Sequence, residues 1–162
     1  MRVVEGEATV GDVDTFVARL AGIGEEYGAT VQAFDARYVV DRTHLERAVE
    51  LADRAAERGE TIARDRAVEI LLYAAGRRQI DRALEMGVSA GECPVVAVVD
   101  GGDEAGAADA LRELLDPAGT LGAYDPDRVR AFFDVSKAEV AATSGVIADL
   151  VRERVALLPV EK

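Results

Sequence analysis

The residues best equipped for chemistry in this chain are Arg77, Arg78 and Gln79, three planar polar side chains in succession between two apolar helical patterns. Guanidinium forks bond phosphate oxygens in pairs and stack on exposed bases, and a glutamine amide offers a base edge both a donor and an acceptor. The chemistry on offer is therefore recognition of RNA. A plainer use of the same residues is an arginine paired with Asp81 or Glu69 and Gln79 capping the preceding helix. Whichever holds, the corner is stiff. Ala67, Ile70, Leu71 and Ala74 stand at helical spacing, Gly76 is a left-handed C-terminal cap, and Ile80, Ala83 and Leu84 restart the apolar period.

Three further residues could join such a surface. His44 is the only histidine, set beside the Thr43 cap; it reads either as a cap-region residue bonded to backbone or as a ring that stacks on a base. Arg42 lies one turn away, and a solvated role suits it equally well. Thr61-Ile62-Ala63-Arg64 precedes a helix and could present Arg64, with backbone N–H groups, to a phosphate, although Asp65 beside it opposes an anion.

Enzyme chemistry is less well supplied. Cys93, before Pro94 and the run Val95-Val96-Ala97-Val98-Val99, reads as a small buried filler, with no base in a recognisable constellation. Asp100-Gly101-Gly102-Asp103-Glu104 follows a strand and leads into a helix, but its carboxylates would repel phosphate, and no Gly-Lys-Ser/Thr follows. It reads as a solvated turn. No metal site and no cofactor are expected.

The elements that must position these groups follow from periodicity. Val3 to Val10 reads as a strand, and Asp12 caps a helix carrying Phe16, Val17, Leu20 and Ile23 that Gly28 closes. Val31 to Phe34 is a second strand, which Tyr38-Val39-Val40 extends or returns. Thr43-x-x-Glu46 is a capping box for a helix through Leu45, Ala48, Val49 and Ala52, stopped by Gly59. The unbroken apolar run 94–99 belongs at the centre of a sheet covered on both faces. Helices follow through Leu111, from Asp125-Pro126, and from Ser136-x-x-Glu139. The last is expected to run about five turns with the stripe Val140, Ser144, Ile147, Val151, Val155 and Leu158. Leu150, Val151, Leu157 and Leu158 give it more apolar surface than one buried face needs, so it is either core with ordinary scatter or a strip for a protein partner. The fold class is α/β: a single domain spanning 1–162, with a small mixed sheet of about three to five strands flanked by several helices.

At 162 residues the chain can bury roughly two thirds of its unfolded surface without disulfides or metal. One cysteine implies a reducing cytoplasm, and no leader or membrane span is expected. The charge is −12, from 31 acids against 19 bases, and only Lys137 and Lys162 are lysine. An acidic, lysine-poor surface suits a salt-rich cytoplasm, where screening is short-ranged, and points to a halophilic archaeal source. The excess spares 35–82, where ten arginines balance ten acids. Solvated i,i+4 pairs such as Glu46-Glu50-Arg54 account for much of that segment.

Phe34-Asp35-Ala36, His44-Leu45-Glu46-Arg47-Ala48 and Glu69-Ile70-Leu71-Leu72-Tyr73 through Arg78-Gln79-Ile80 occur in order. Together they resemble the TPRKB-like kinase-binding small subunit of the KEOPS (EKC) complex, clearly over 30–87 and in general layout outside it. Ala75 departs from the pattern, which leads one to expect a small hydroxyl residue such as Ser there. The resemblance implies an adaptor and not an enzyme. It would bind the KEOPS kinase/ATPase subunit directly, reach the catalytic subunit through it, and help recruit tRNA by its 3′ CCA end for threonylcarbamoyladenosine modification. On that reading tRNA binding falls to Arg77, Arg78 and Gln79, with Arg64, His44 and Arg42 secondary. Two other functions remain open: a hydrolase using Cys93 or the acids of 100–104, and an interaction protein of the same fold without RNA binding, which the −12 charge permits.

Overall fold

A computed structural model describes residues 1–142 and 146–161. In chain order the elements are β1 (Arg2–Val10), α1 (Val13–Tyr27), β2 (Thr30–Asp35), a 3-10 turn (Ala36–Tyr38), α2 (Arg42–Glu57), α3 (Arg66–Ala75) and α4 (Ile80–Ala83). A second 3-10 turn (Leu84–Met86), β3 (Gly91–Asp100), α5 (Glu104–Arg112), α6 (Pro126–Phe133), α7 (Lys137–Ala142) and α8 (Ile147–Glu161) follow. The fold is α/β, as expected. Its sheet has three strands in the order β1-β3-β2, and both pairings are antiparallel, so it contains no parallel pair.

The apolar run is the central strand for the reason its composition implies. Alternate residues of β3 serve different cores: Cys93, Val95, Ala97 and Val99 pack with α1 and α5, whereas Val96 and Val98 pack with α2, α3, α6 and α8. Both faces are covered, so neither side-chain parity can be polar. The sheet lies between the two cores.

Local signals place most helix ends. Gly28 and Gly76 are left-handed caps, the latter at φ 61° and ψ 33°. Asp125 accepts from the N–H groups of Asp127 and Arg128 with Pro126 in the first turn, and Ser136 and Glu139 bond each other's backbone N–H reciprocally. Three expectations are corrected. Tyr38-Val39-Val40 is no strand: Asp35 accepts from Arg37 N–H at 3.0 Å and turns the chain into the 3-10 segment. Asp41, and not Thr43, caps α2, accepting from His44 N–H at 2.8 Å, because the helix already begins at Arg42. The long final helix is two, α7 and α8; Ser144 of the expected stripe lies outside the described residues.

Candidate functional site

Four helix ends converge around the Arg-Arg-Gln corner. α2 starts there and α3 ends there, joined by His44, whose ring is fully buried. Its Nδ1 accepts from Val40 N–H at 3.3 Å and its Nε2 donates to the Ala74 carbonyl at 2.7 Å. This pairing requires the neutral ring protonated on Nε2, and burial pushes the imidazole pKa down to about 4. The ring also meets Phe133 edge-on at 5.7 Å. His44 is therefore corrected from an RNA contact to an internal strut: no face of it reaches solvent.

Arg77, 22% exposed, is largely taken up by internal contacts. Its guanidinium donates to the Phe132 carbonyl, lies 5.3 Å from the Phe132 ring centre and stands 3.5 Å from the Asp134 carboxylate. Those bonds tie the α3 end to the α6 end, and Arg154 of α8 binds the same place through the Phe133 and Asp134 carbonyls. The plainer reading of an arginine paired with a carboxylate holds for Arg77, with Asp134 as partner in place of Asp81 or Glu69.

Arg78 and Gln79 remain. Both are exposed, Arg78 has no ion pair among the described residues, and Gln79 precedes α4 without capping it. Arg77 braces the backbone from which they project, so they are held on a stiff mount. Arg42 is exposed on the neighbouring α2 start and lies 4.0 Å from Glu46, a solvated i,i+4 pair.

Arg64 lies at the other end of α3. Ten residues of helix separate it from the corner, about 15 Å of rise, so the two do not form one patch along that axis. Nor can its segment cradle a phosphate through backbone N–H groups. Ile62 and Ala63 both donate to the buried Glu69 carboxylate, at 3.0 and 2.9 Å, and Asp65 accepts from Ala67 and Val68. Glu69 is the functional-looking residue that sequence reasoning underused: it is the internal anchor of the 61–64 loop.

The partner-binding expectation divides sharply. Leu150, Val151 and Leu158 are buried, because α8 packs this face against α2, α3 and α6, while Asp149, Glu153, Ala156 and Leu157 stay exposed on the other. They are core. Of the four, only Leu157 keeps an accessible side chain, at 40% exposed.

The hydrolase reading loses its nucleophile. Cys93 is buried, and burial pushes its thiol pKa up, opposite to activation. Of the 100–104 acids, Asp103 caps α5. Burial would raise Asp100, but Arg66 at 2.7 Å and the Met1 ammonium outweigh it and hold the carboxylate below its usual range. Gly102, at φ 56°, lets this turn approach the Gly28 carbonyl where a Cβ would collide. Among the described residues no group of three or more His, Cys, Asp or Glu is placed to hold a metal ion, and no helix is long and apolar enough to cross a membrane.

Comparison with known proteins found no match among curated proteins. Residues 14–158, however, match the family described as kinase binding protein CGI-121. That span takes in all three motifs and every element from α1 to the main body of α8, and so the chain belongs to the CGI-121 family of kinase-binding proteins.

Proposed function

We infer that this protein is the non-catalytic small subunit of a KEOPS-type complex, binding and regulating the kinase/ATPase subunit and helping to bring in tRNA by its 3′ CCA end. The observation that carries the reading is the match to kinase-binding proteins across 14–158, joined with the motif order Asp35-Ala36, His44-Leu45 and Arg78-Gln79-Ile80. The RNA part is supported by Arg78 and Gln79, exposed on a corner that Arg77 fastens to α6. The catalytic subunit of the complex is reached through the kinase, and the cytoplasm is where tRNA and kinase would meet it. Its acidic, lysine-poor composition supports a salt-rich one, as in halophilic archaea.

Mixing the purified protein with the kinase subunit and passing them over a sizing column tests the first half: co-elution at micromolar concentration is expected, and separate peaks would count against an adaptor. Titration with tRNA carrying or lacking its terminal CCA tests the second. A second reading, an interaction adaptor of the same fold that does not touch RNA, is favoured by the −12 charge. Equal, weak binding of both tRNAs alongside kinase co-elution would select it.

A further inference from the structure

β2 is an edge of the sheet, with α1 packed on one face and α3 on the other. The two helices leave between them an apolar groove of about 600 Å³, floored by residues 30–33. That floor is closed to strand pairing. Val31 and Ala33 are buried, as are Phe34 and Asp35, and the Ala33 carbonyl accepts from the Gln32 side-chain amide at 2.8 Å. Whatever enters the groove is therefore held through side chains and must satisfy its own backbone groups. An α-helix does so internally, whereas an extended segment does not.

The walls suit such an occupant. Val13, Val17, Ala21 and Gly24 recur at helical spacing and form one stripe of α1 along the groove, with Asp14 near one end and Glu25 at the other. The helical rise between those two carboxylates is about 16 Å, or roughly three turns. Val68 of α3, with Leu84 and Val88, makes the opposite wall. Of the large apolar side chains exposed among the described residues, Val17 (49%) and Leu84 (56%) line this groove, and Ile80 (46%) lies one helical turn before Leu84. Apolar exposure gathered in this way marks a contact surface. The rim fixes the sign of the charge. Asp14, Glu25 and Asp65 line it; Asp14 and Glu25 have no ion pair among the described residues, and the lining cation Arg66 is held by Asp53 and Asp100 at 2.7 Å each. Basic side chains are selected and phosphate is disfavoured. A second copy of the chain, at −12, would meet this rim with like charge overall.

We propose that this groove docks a basic amphipathic helix of a protein partner. The helix lies along α1 for about three to four turns, sets its apolar side chains between α1 and α3, and carries Lys or Arg on its flanks against Asp14, Glu25 and Asp65. No residue of α8 lines the groove, and the inference is independent of whether the Arg78-Gln79 corner binds RNA.

The test is a methyl-resolved NMR titration of the full chain with a synthetic peptide of roughly 14 residues, about four turns, carrying leucines on one helical face and lysines on the other. Three copies serve as controls: the same composition with the leucines dispersed around the helix, Glu in place of Lys, and Pro at the centre, which breaks a helix. The expected result is saturable shifts at the methyls of Val17, Val68, Leu84 and Val88 and a gain of helical circular dichroism, with each control at least about tenfold weaker. Substituting Val17→Arg and Leu84→Arg together should weaken the first peptide about as much and leave the protein's own spectrum unchanged, since both side chains are about half exposed. Equal binding of the dispersed or proline copy, shifts centred away from the groove, or no binding of the leucine-lysine peptide would each overturn the proposal. So would the same methyls moving with protein concentration alone, which would mark a second copy as the occupant, or moving with a CCA-ended oligonucleotide. Kinase co-elution is read in a separate experiment, so the two inferences fail separately.

Discussion

His44 Nε2 lies 2.7 Å from the Ala74 carbonyl, and through that contact the start of α2 is fastened to the last turn of α3. The bond uses the neutral ring. A second proton, on Nδ1, would face the Val40 N–H that Nδ1 now accepts, inside a fully buried site. The folded pKa is about 4 against 6.5 for a free histidine, with burial as the main cause. The unfolded chain thus binds the proton first, and stability falls as pH drops.

The contribution is fully present above about pH 6.5 and is lost progressively down to about pH 4, a change of order 3 kcal/mol at most from this group. Denaturant melts at pH 7.5 and pH 5 should show it, and His44→Gln should flatten the difference while lowering stability at both. An unchanged pH slope in the variant would remove His44 as the origin.

Glu69 gives a second internal prediction. Its carboxylate takes the N–H groups of Ile62 and Ala63, and truncation leaves both donors without their partner. Glu69→Ala should cost about 1–3 kcal/mol and speed amide exchange locally over 61–64, whereas Glu69→Gln, which keeps one acceptor oxygen, should cost less. Equal protection of that loop in all three proteins would refute the anchoring role.

Much of the architecture was legible because its signals are local. Gly76, the Asp125-Pro126 pair and the Ser136/Glu139 box act on backbone within one turn, and the unbroken Val95–Val99 run can only sit between two apolar layers. What stayed hidden is partner choice at long range. Arg77 finds a carbonyl 55 positions away, and His44 one 30 positions away; nothing in the spacing of the sequence distinguishes Arg77, which is tied down, from Arg78, which is not. The surplus of apolar residues on the last helix misled for a related reason. Periodicity counts a narrow buried face, but α8 contacts three helices and its buried face is wide enough that Leu150 and Val151 are both interior.

The buried and exposed faces of α8 can be tested apart. Val151→Glu places a carboxylate at a fully buried position and should cost several kcal/mol, enough to abolish cooperative melting. Leu157→Glu changes a side chain that is 40% exposed, should leave the melt within about 0.5 kcal/mol of the parent, and should weaken co-elution with the kinase subunit if α8 contributes to that interface. Normal kinase binding by folded Leu157→Glu would move the interface off this helix.

The sharpest contrast lies between two adjacent arginines. Arg77 is a fastener: Arg77→Ala leaves the Phe132 carbonyl without its donor and removes the contact with the Phe132 ring, so it should lower stability by about 1–2 kcal/mol. Arg78 is exposed and without an ion pair among the described residues, so Arg78→Ala should not move the melt. If the corner receives the tRNA tail, Arg78→Ala should weaken CCA-ended tRNA about tenfold, or ~1.4 kcal/mol, and removing CCA from the RNA should weaken the parent comparably. Kinase binding should survive the change. Because the protein carries −12 overall, the contact must depend on stacking and directed hydrogen bonds more than on counterion release, and affinity should vary little between two salt concentrations. Thermal melts of both variants, with titrations of the parent and Arg78→Ala against both tRNAs at each salt, decide the matter. Loss of stability in Arg78→Ala, or a steep fall of parent affinity with salt, would show the corner to be a helix junction and nothing more.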